Sequence, residues 1–70
     1  MYKRIRDLRE DNDLTQKQVS AALQCSQQVY SNYELGQREI PTDILIKLSA
    51  FYNVSVAFIL GITDNPNIQK

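Results

Sequence analysis

Histidine and tryptophan are absent from the 70 residues, and cysteine occurs once. A single thiol cannot staple a fold, and without a Cys/His set nothing can hold a structural zinc. Cys25 has no histidine to activate it as a nucleophile, and a small turn residue is the favoured reading over a redox sensor. There is no Gly-rich phosphate loop. The adjacent carboxylates Glu10 and Asp11 sit in a polar break and read as solvated. No catalytic residue, metal site, cofactor or small-molecule ligand is therefore expected. No apolar run approaches the roughly 20 residues of a membrane span, and the N-terminus is charged from Lys3, so neither a span nor a secretory leader is expected. The chain reads as cytosolic. Repeats and low-complexity segments are also missing.

What is present fits one small domain. The hydrophobic fraction of 43% is ordinary for a globular protein. The length is near the lower limit for a self-sufficient core, so the fold is held by apolar packing, alone or with a partner chain. Eight basic residues balance eight acidic ones, and the sequence pI is about 6.1. That balance counts against a nucleic-acid partner, but a local basic face is what matters. Lys3, Arg4, Arg6, Arg9, Lys17, Arg38 and Lys47 all precede the last third of the chain.

Apolar periodicity and capping signals predict an all-α chain of five helices. The first runs from about Lys3 to Asn12, with Ile5, Leu8 and Tyr2 at helical spacing. Thr15-Gln16-Lys17-Gln18 is a capping box that opens the second, with Val19, Ala22 and Leu23 as its buried stripe. Only Gln24-Cys25 separates its end from Ser26, the N-cap of the third, which forces a sharp turn. Tyr30 and Tyr33 form the core face of the third helix, and Gly36 stops it as a left-handed cap. Pro41-Thr42 starts the fourth, whose apolar face is Ile44, Leu45, Leu48, Phe51 and Tyr52, and Asn53 closes it. Ser55 caps a short fifth helix, Val56 to Leu60, ended by Gly61. The domain is expected over 1–62, with an irregular, frayed tail over 63–70.

Two short helices joined by a tight turn inside a five-helix bundle define a helix-turn-helix, here at about 16–35. Such a unit can send its second helix into a major groove about 12 Å wide while the first rests on the backbone. The outward positions of helix three are Gln27, Gln28, Ser31 and Asn32. Gln and Asn can form bidentate pairs with adenine edges, whereas an ordinary solvated face would carry more Lys and Glu.

Several stretches, in this order and spacing, resemble the phage repressor and Cro type (XRE-like) of helix-turn-helix domain. They are Leu14-Thr15-Gln16-Lys17-Gln18-Val19, then Ser26-Gln27-Gln28-Val29-Tyr30-Ser31-Asn32-Tyr33-Glu34, then Gly36-Gln37-Arg38-Glu39-Ile40-Pro41. Leu48-Ser49-Ala50-Phe51-Tyr52-Asn53-Val54-Ser55 and Ile59-Leu60-Gly61 are similar to the family's last two helices. The resemblance runs from about Ile5 to Gly61 and implies a sequence-specific regulator that binds double-stranded DNA. Carried over by it, Gln16 would bond a phosphate and brace the recognition helix, while Gln27, Gln28 and Asn32 would read base edges. Ser31 and Val29 would touch phosphate, sugar or a thymine methyl. Ser26 would serve on the DNA backbone side, and Arg38 would contact phosphate or reach toward the minor groove, with Lys17 as a weaker phosphate candidate. Taken singly, Gln16 is also a good first-turn residue, and Arg38 and Lys17 are also ordinary surface charges. The resemblance further implies an architectural pair between Arg9 and Glu34.

The sequence departs from the family pattern at Gln24, where glycine is usual because the turn wants a left-handed backbone. A non-Gly residue there costs on the order of 1 kcal/mol. Tyr30 replaces an aliphatic residue, and its hydroxyl needs water or a partner. In a helix as short as the fifth, Val56, Phe58, Ile59 and Leu60 cannot all face inward, so apolar surface should remain near this end. The resemblance makes Val56 and Phe58 the candidate homodimer interface, which would set two recognition helices about 34 Å apart on a palindromic operator. Repression is favoured over activation because simple occlusion needs no additional surface. The competing reading is a protein-interaction module of the same fold, an antitoxin or anti-repressor with little DNA binding, which the neutral net charge supports.

Overall fold

A computed structural model describes residues 3–67, among which there are five α-helices and no strand. They are α1 Lys3–Asp11, α2 Gln16–Leu23, α3 Gln27–Leu35, α4 Thr42–Tyr52 and α5 Val56–Ile59. Tyr2, expected on the α1 stripe, lies outside the described residues, as does the end of the tail beyond Asn67.

Local chemistry explains the helix boundaries. The Gln18 N–H donates to Thr15 Oγ1 at 3.1 Å, and the Thr15 N–H donates to Gln18 Oε1 at 2.8 Å, completing the capping box of α2. Ser26 and Ser55 cap α3 and α5 by accepting from the N–H groups of Val29 and Phe58. Pro41 occupies the N-cap place of α4, with no side-chain bond to offer. Three junctions turn through the left-handed region at non-glycine residues: Asp13, Gln24 and Asn53, with φ of 55°, 58° and 56°. Asp and Asn tolerate that region comparatively well. Gln24 does not, so the tight turn between α2 and α3 keeps the left-handed geometry that glycine would favour and carries its strain.

Each helix contributes to one core. Ile5, Val19, Leu23, Tyr30, Tyr33, Ile44, Leu48 and Ile59 come from the helices, and Ile40 and Val54 from the connections between them. α2 packs on α3 and α4, while α1 packs on α3 and α5. Three expectations need correction. Ala22 is exposed, and Ser20 takes its place in the α2 interface, where its hydroxyl donates back to Lys17 O. Phe51 lies at the rim of the α4 face, exposed and edge-on to Tyr52. The tail is irregular but not frayed over 63–67. The Ser55 N–H donates to Pro66 O at 2.9 Å, and Arg4 Nη1 donates to Thr63 O at 3.1 Å.

Candidate nucleic-acid interface

The α2–turn–α3 unit gives α3 two unlike sides. Tyr30 and Tyr33 are buried, whereas Gln27 and Gln28 are exposed and Ser31 and Asn32 are half-buried. Among the described residues, the outer side makes one side-chain bond within itself, from Gln28 Nε2 to Asn32 Oδ1 at 3.2 Å. Gln16, Gln27, Gln28 and Ser31 line an open cleft of about 280 Å³ between the starts of α2 and α3. Ser26 Oγ accepts from the Val29 N–H, so its hydroxyl proton remains available to a phosphate oxygen. Val29 is half-buried against the core.

Behind this face lies a charged brace. Arg9 Nε donates to Glu34 Oε2 at 2.7 Å, and Arg9 Nη2 donates to Glu34 Oε1 at 3.2 Å, a two-pronged pairing between α1 and α3. Arg9 Nη1 also donates to Leu14 O at 3.1 Å, which holds the α1–α2 connection. Gln16 Nε2 donates to Glu34 Oε1 at 3.2 Å, so one carboxylate collects donors from α1 and α2. The Glu34 side chain is 4% exposed and that of Arg9 16%, so water screens the pair little. Burial by itself would push the Glu34 pKa up. The donors from Arg9 and Gln16 outweigh it and hold the carboxylate below its ordinary range. The hydrogen bond to Glu34 raises the Arg9 pKa in turn.

Two phenols end near this carboxylate. The Tyr30 and Tyr52 hydroxyls are buried, and neither reaches hydrogen-bonding geometry with a protein group. Burial, and then the Glu34 charge, raises both pKa values, that of Tyr52 to about 12. Both therefore stay protonated under ordinary conditions.

The basic candidates flank the polar face. Lys17 on α2 and Arg38 in the loop after α3 are exposed, and neither has a carboxylate within ion-pair distance among the described residues. Burial pushes the Cys25 thiol up, away from the thiolate form, as suits a packed turn residue.

The opposite end of the molecule holds Val56 and Phe58. Both are half-buried. The Arg4 guanidinium lies 4.2 Å from the Phe58 ring centroid and bonds Thr63 O and, at 2.6 Å, Asp64 Oδ1. The more exposed apolar side chains at this end are Leu60 and Ile62, 40% and 75% exposed. Sequence reading missed the Arg4 clasp, since no local pattern joins residues so far apart. It also missed the Gln28–Asn32 bond, although their spacing of four was visible.

The helix-turn-helix family model matches residues 5–59. The chain belongs to the helix-turn-helix family. It is 38% identical over 68 residues to the uncharacterized HTH-type transcriptional regulator YobD of Bacillus subtilis (strain 168), covering 96% of this chain and 61% of YobD. It is 41% identical over 59 residues to the HTH-type transcriptional regulator ImmR of the same strain, covering 84% of this chain and 46% of ImmR. It is 35% identical over 67 residues to the cryptic phage CTXphi transcriptional repressor RstR of Vibrio cholerae, covering 96% of this chain and 60% of RstR. The chain thus spans about half to three-fifths of the length of these relatives. No solved structure matches it significantly. All three relatives bear the names of transcriptional regulators or repressors, one of them of a cryptic phage. No described helix is long and apolar enough to cross a membrane.

Proposed function

We propose that this helix-turn-helix chain is a repressor that binds a palindromic duplex operator as a homodimer, with α3 in the major groove. The observation that carries the reading is the uncharged polar side of α3, Gln27, Gln28, Ser31 and Asn32, left free while the Arg9–Glu34–Gln16 brace fixes the helix from behind. Amide side chains are matched to base edges, and a fixed helix spends less ordering entropy on docking. Gln16, Lys17, Ser26 and Arg38 contact the DNA backbone around it. Val56 and Phe58, with the exposed Leu60 beside them, form the contact between protomers. Residues 1–62 act as the binding domain, and 63–70 as a tail.

Selection of bound duplexes from a random pool, sequenced at two salt concentrations, tests this. The expected result is an enriched two-fold-symmetric motif that Gln28→Ala loses, with affinity falling steeply as salt rises. The zero net charge favours one other reading, a protein-interaction module of this fold. Absence of enrichment at both salts, together with a salt-insensitive protein partner, would move the function there.

A further inference from the structure

α3 carries a leucine that the core does not use. Leu35 is 59% exposed and lies outside the apolar cluster, whereas Val29 of the same helix packs against it. Among the described residues it is the one large apolar side chain exposed on the α2–turn–α3 unit. The others of this kind, Ile46, Phe51, Leu60 and Ile62, lie on α4 or beyond. Its direction follows from the spacing. Gln28, Ser31, Asn32 and Leu35 fall at i, i+3, i+4 and i+7 of one helix, and so on one stripe. Tyr30, Tyr33 and Glu34, all buried, occupy the opposite side. Leu35 therefore stands in line with the amides that face outward, at the far end of the same stripe.

A lone exposed leucine needs no explanation on an ordinary surface. On a surface that meets duplex DNA its chemistry is selective. The leucine side chain has no donor or acceptor, so it can bond neither a phosphate nor the polar atoms of a base edge. The edges that line the major groove carry one apolar group, the 5-methyl of thymine. A leucine set against that methyl takes apolar surface of both partners out of water. Pressed against a phosphate, it would take water from the charge and return no bond. The spacing along the groove follows from helix geometry. With α3 laid along the groove, seven residues advance about 10.5 Å and three base-pair steps about 10.2 Å. The base beside Leu35 then lies about three pairs from the base beside Gln28. Arg38, exposed in the loop just beyond, is left for the DNA backbone.

We infer that Leu35 is a further specificity-determining residue, which reads the 5-methyl group of a thymine about three base pairs from the pair met by Gln28. The inference rests on the DNA-binding reading above and adds an apolar contact to its polar ones.

The test is duplex selection with wild type, Leu35→Ala and Gln28→Ala, followed by competition binding with altered bases. Wild type should enrich a T·A pair about three steps from the column that Gln28→Ala relaxes, and Leu35→Ala should relax that T·A column alone. Deoxyuridine in place of that thymine removes only the methyl group. It should weaken wild type about three- to fourfold, while Leu35→Ala binds both duplexes equally. With a C·G pair placed there, 5-methylcytosine should bind wild type more tightly than cytosine, because its methyl takes the same place in the groove. Urea unfolding of Leu35→Ala should match wild type, as befits an exposed side chain, so that lost discrimination is not lost fold. Wild type indifferent to deoxyuridine at every thymine near that position overturns the inference. So does a Leu35→Ala variant that keeps the full deoxyuridine effect, which would give the methyl to Val29 or Ser31. A variant that loses affinity equally for all sequences also overturns it, since Leu35 would then lie on the backbone. No enrichment by wild type overturns the DNA-binding reading and this inference with it, a result distinct from an enriched motif without methyl dependence.

Discussion

The α2–turn–α3 unit and the α4–α5 end are both small, capped and anchored in the same core, yet their surfaces differ in kind. The first displays amides and hydroxyls over a buried charged brace. The second displays Phe51, Leu60 and Ile62, with Arg4 laid across Phe58. A polar face on a rigid support suits a ligand read by hydrogen bonds. An apolar edge held by a solvent-touched clasp suits a surface whose covering can change. One core of ten buried apolar residues thus supports two surfaces of unlike chemistry.

The largest expected effect lies in the brace. Glu34→Ala would leave the half-buried Arg9 without its carboxylate, a loss of about 3 kcal/mol that urea unfolding would measure. That is a large share of the stability of a domain this size. The double variant Arg9→Met/Glu34→Leu should recover most of it, because apolar groups of similar volume need no pairing. If it does, the brace serves orientation of α3 more than stability, and duplex affinity should stay low in the double variant.

Acid offers a second approach to the same pair. The folded Glu34 pKa lies below the ordinary 4.5 of the unfolded chain. Its contribution is present above 4.5 and is lost as pH falls through the folded value. Unfolding free energy should therefore decline below about pH 4.5, and the Glu34→Gln variant should lack that part of the decline.

At the other end the effects should be smaller. Arg4→Ala removes a cation–π contact of about 0.5 to 1 kcal/mol. The Arg4–Asp64 pair contributes little beyond that, because Asp64 is 99% exposed. Amide exchange should speed up at Ser55 and Ile62 while α3 stays protected. Equal acceleration in α3 would erase the distinction between the two regions. The smallest change is a gain. Gln24→Gly relieves a left-handed backbone and should stabilise by up to about 1 kcal/mol in thermal unfolding.

The elements were legible because helix ends are written in local chemistry. Thr15 with Gln18, Ser26, Gly36 and Ser55 each act within four residues of their own position. The polar side of α3 was legible for the same reason, since Tyr30 and Tyr33 fix the inward direction. Periodicity shows that a face exists but leaves its centre uncertain, which is how Ala22 and Phe51 were set inside while Ser20 was the residue buried. Contacts across the chain were legible only where a resemblance pointed to them, as with Arg9 and Glu34. Gln16 bracing α3 was pointed to in the same way, whereas the Arg4 clasp depends on side-chain paths that no spacing encodes.

The most direct test of the central claim is an NMR titration of the full chain with its selected duplex, following the side-chain amide signals of Gln27, Gln28 and Asn32. The account predicts that these signals shift and become protected as the duplex binds, and that added salt reverses both effects. Saturating binding that leaves all three unchanged would contradict it, since the duplex would then be held by another face of the molecule.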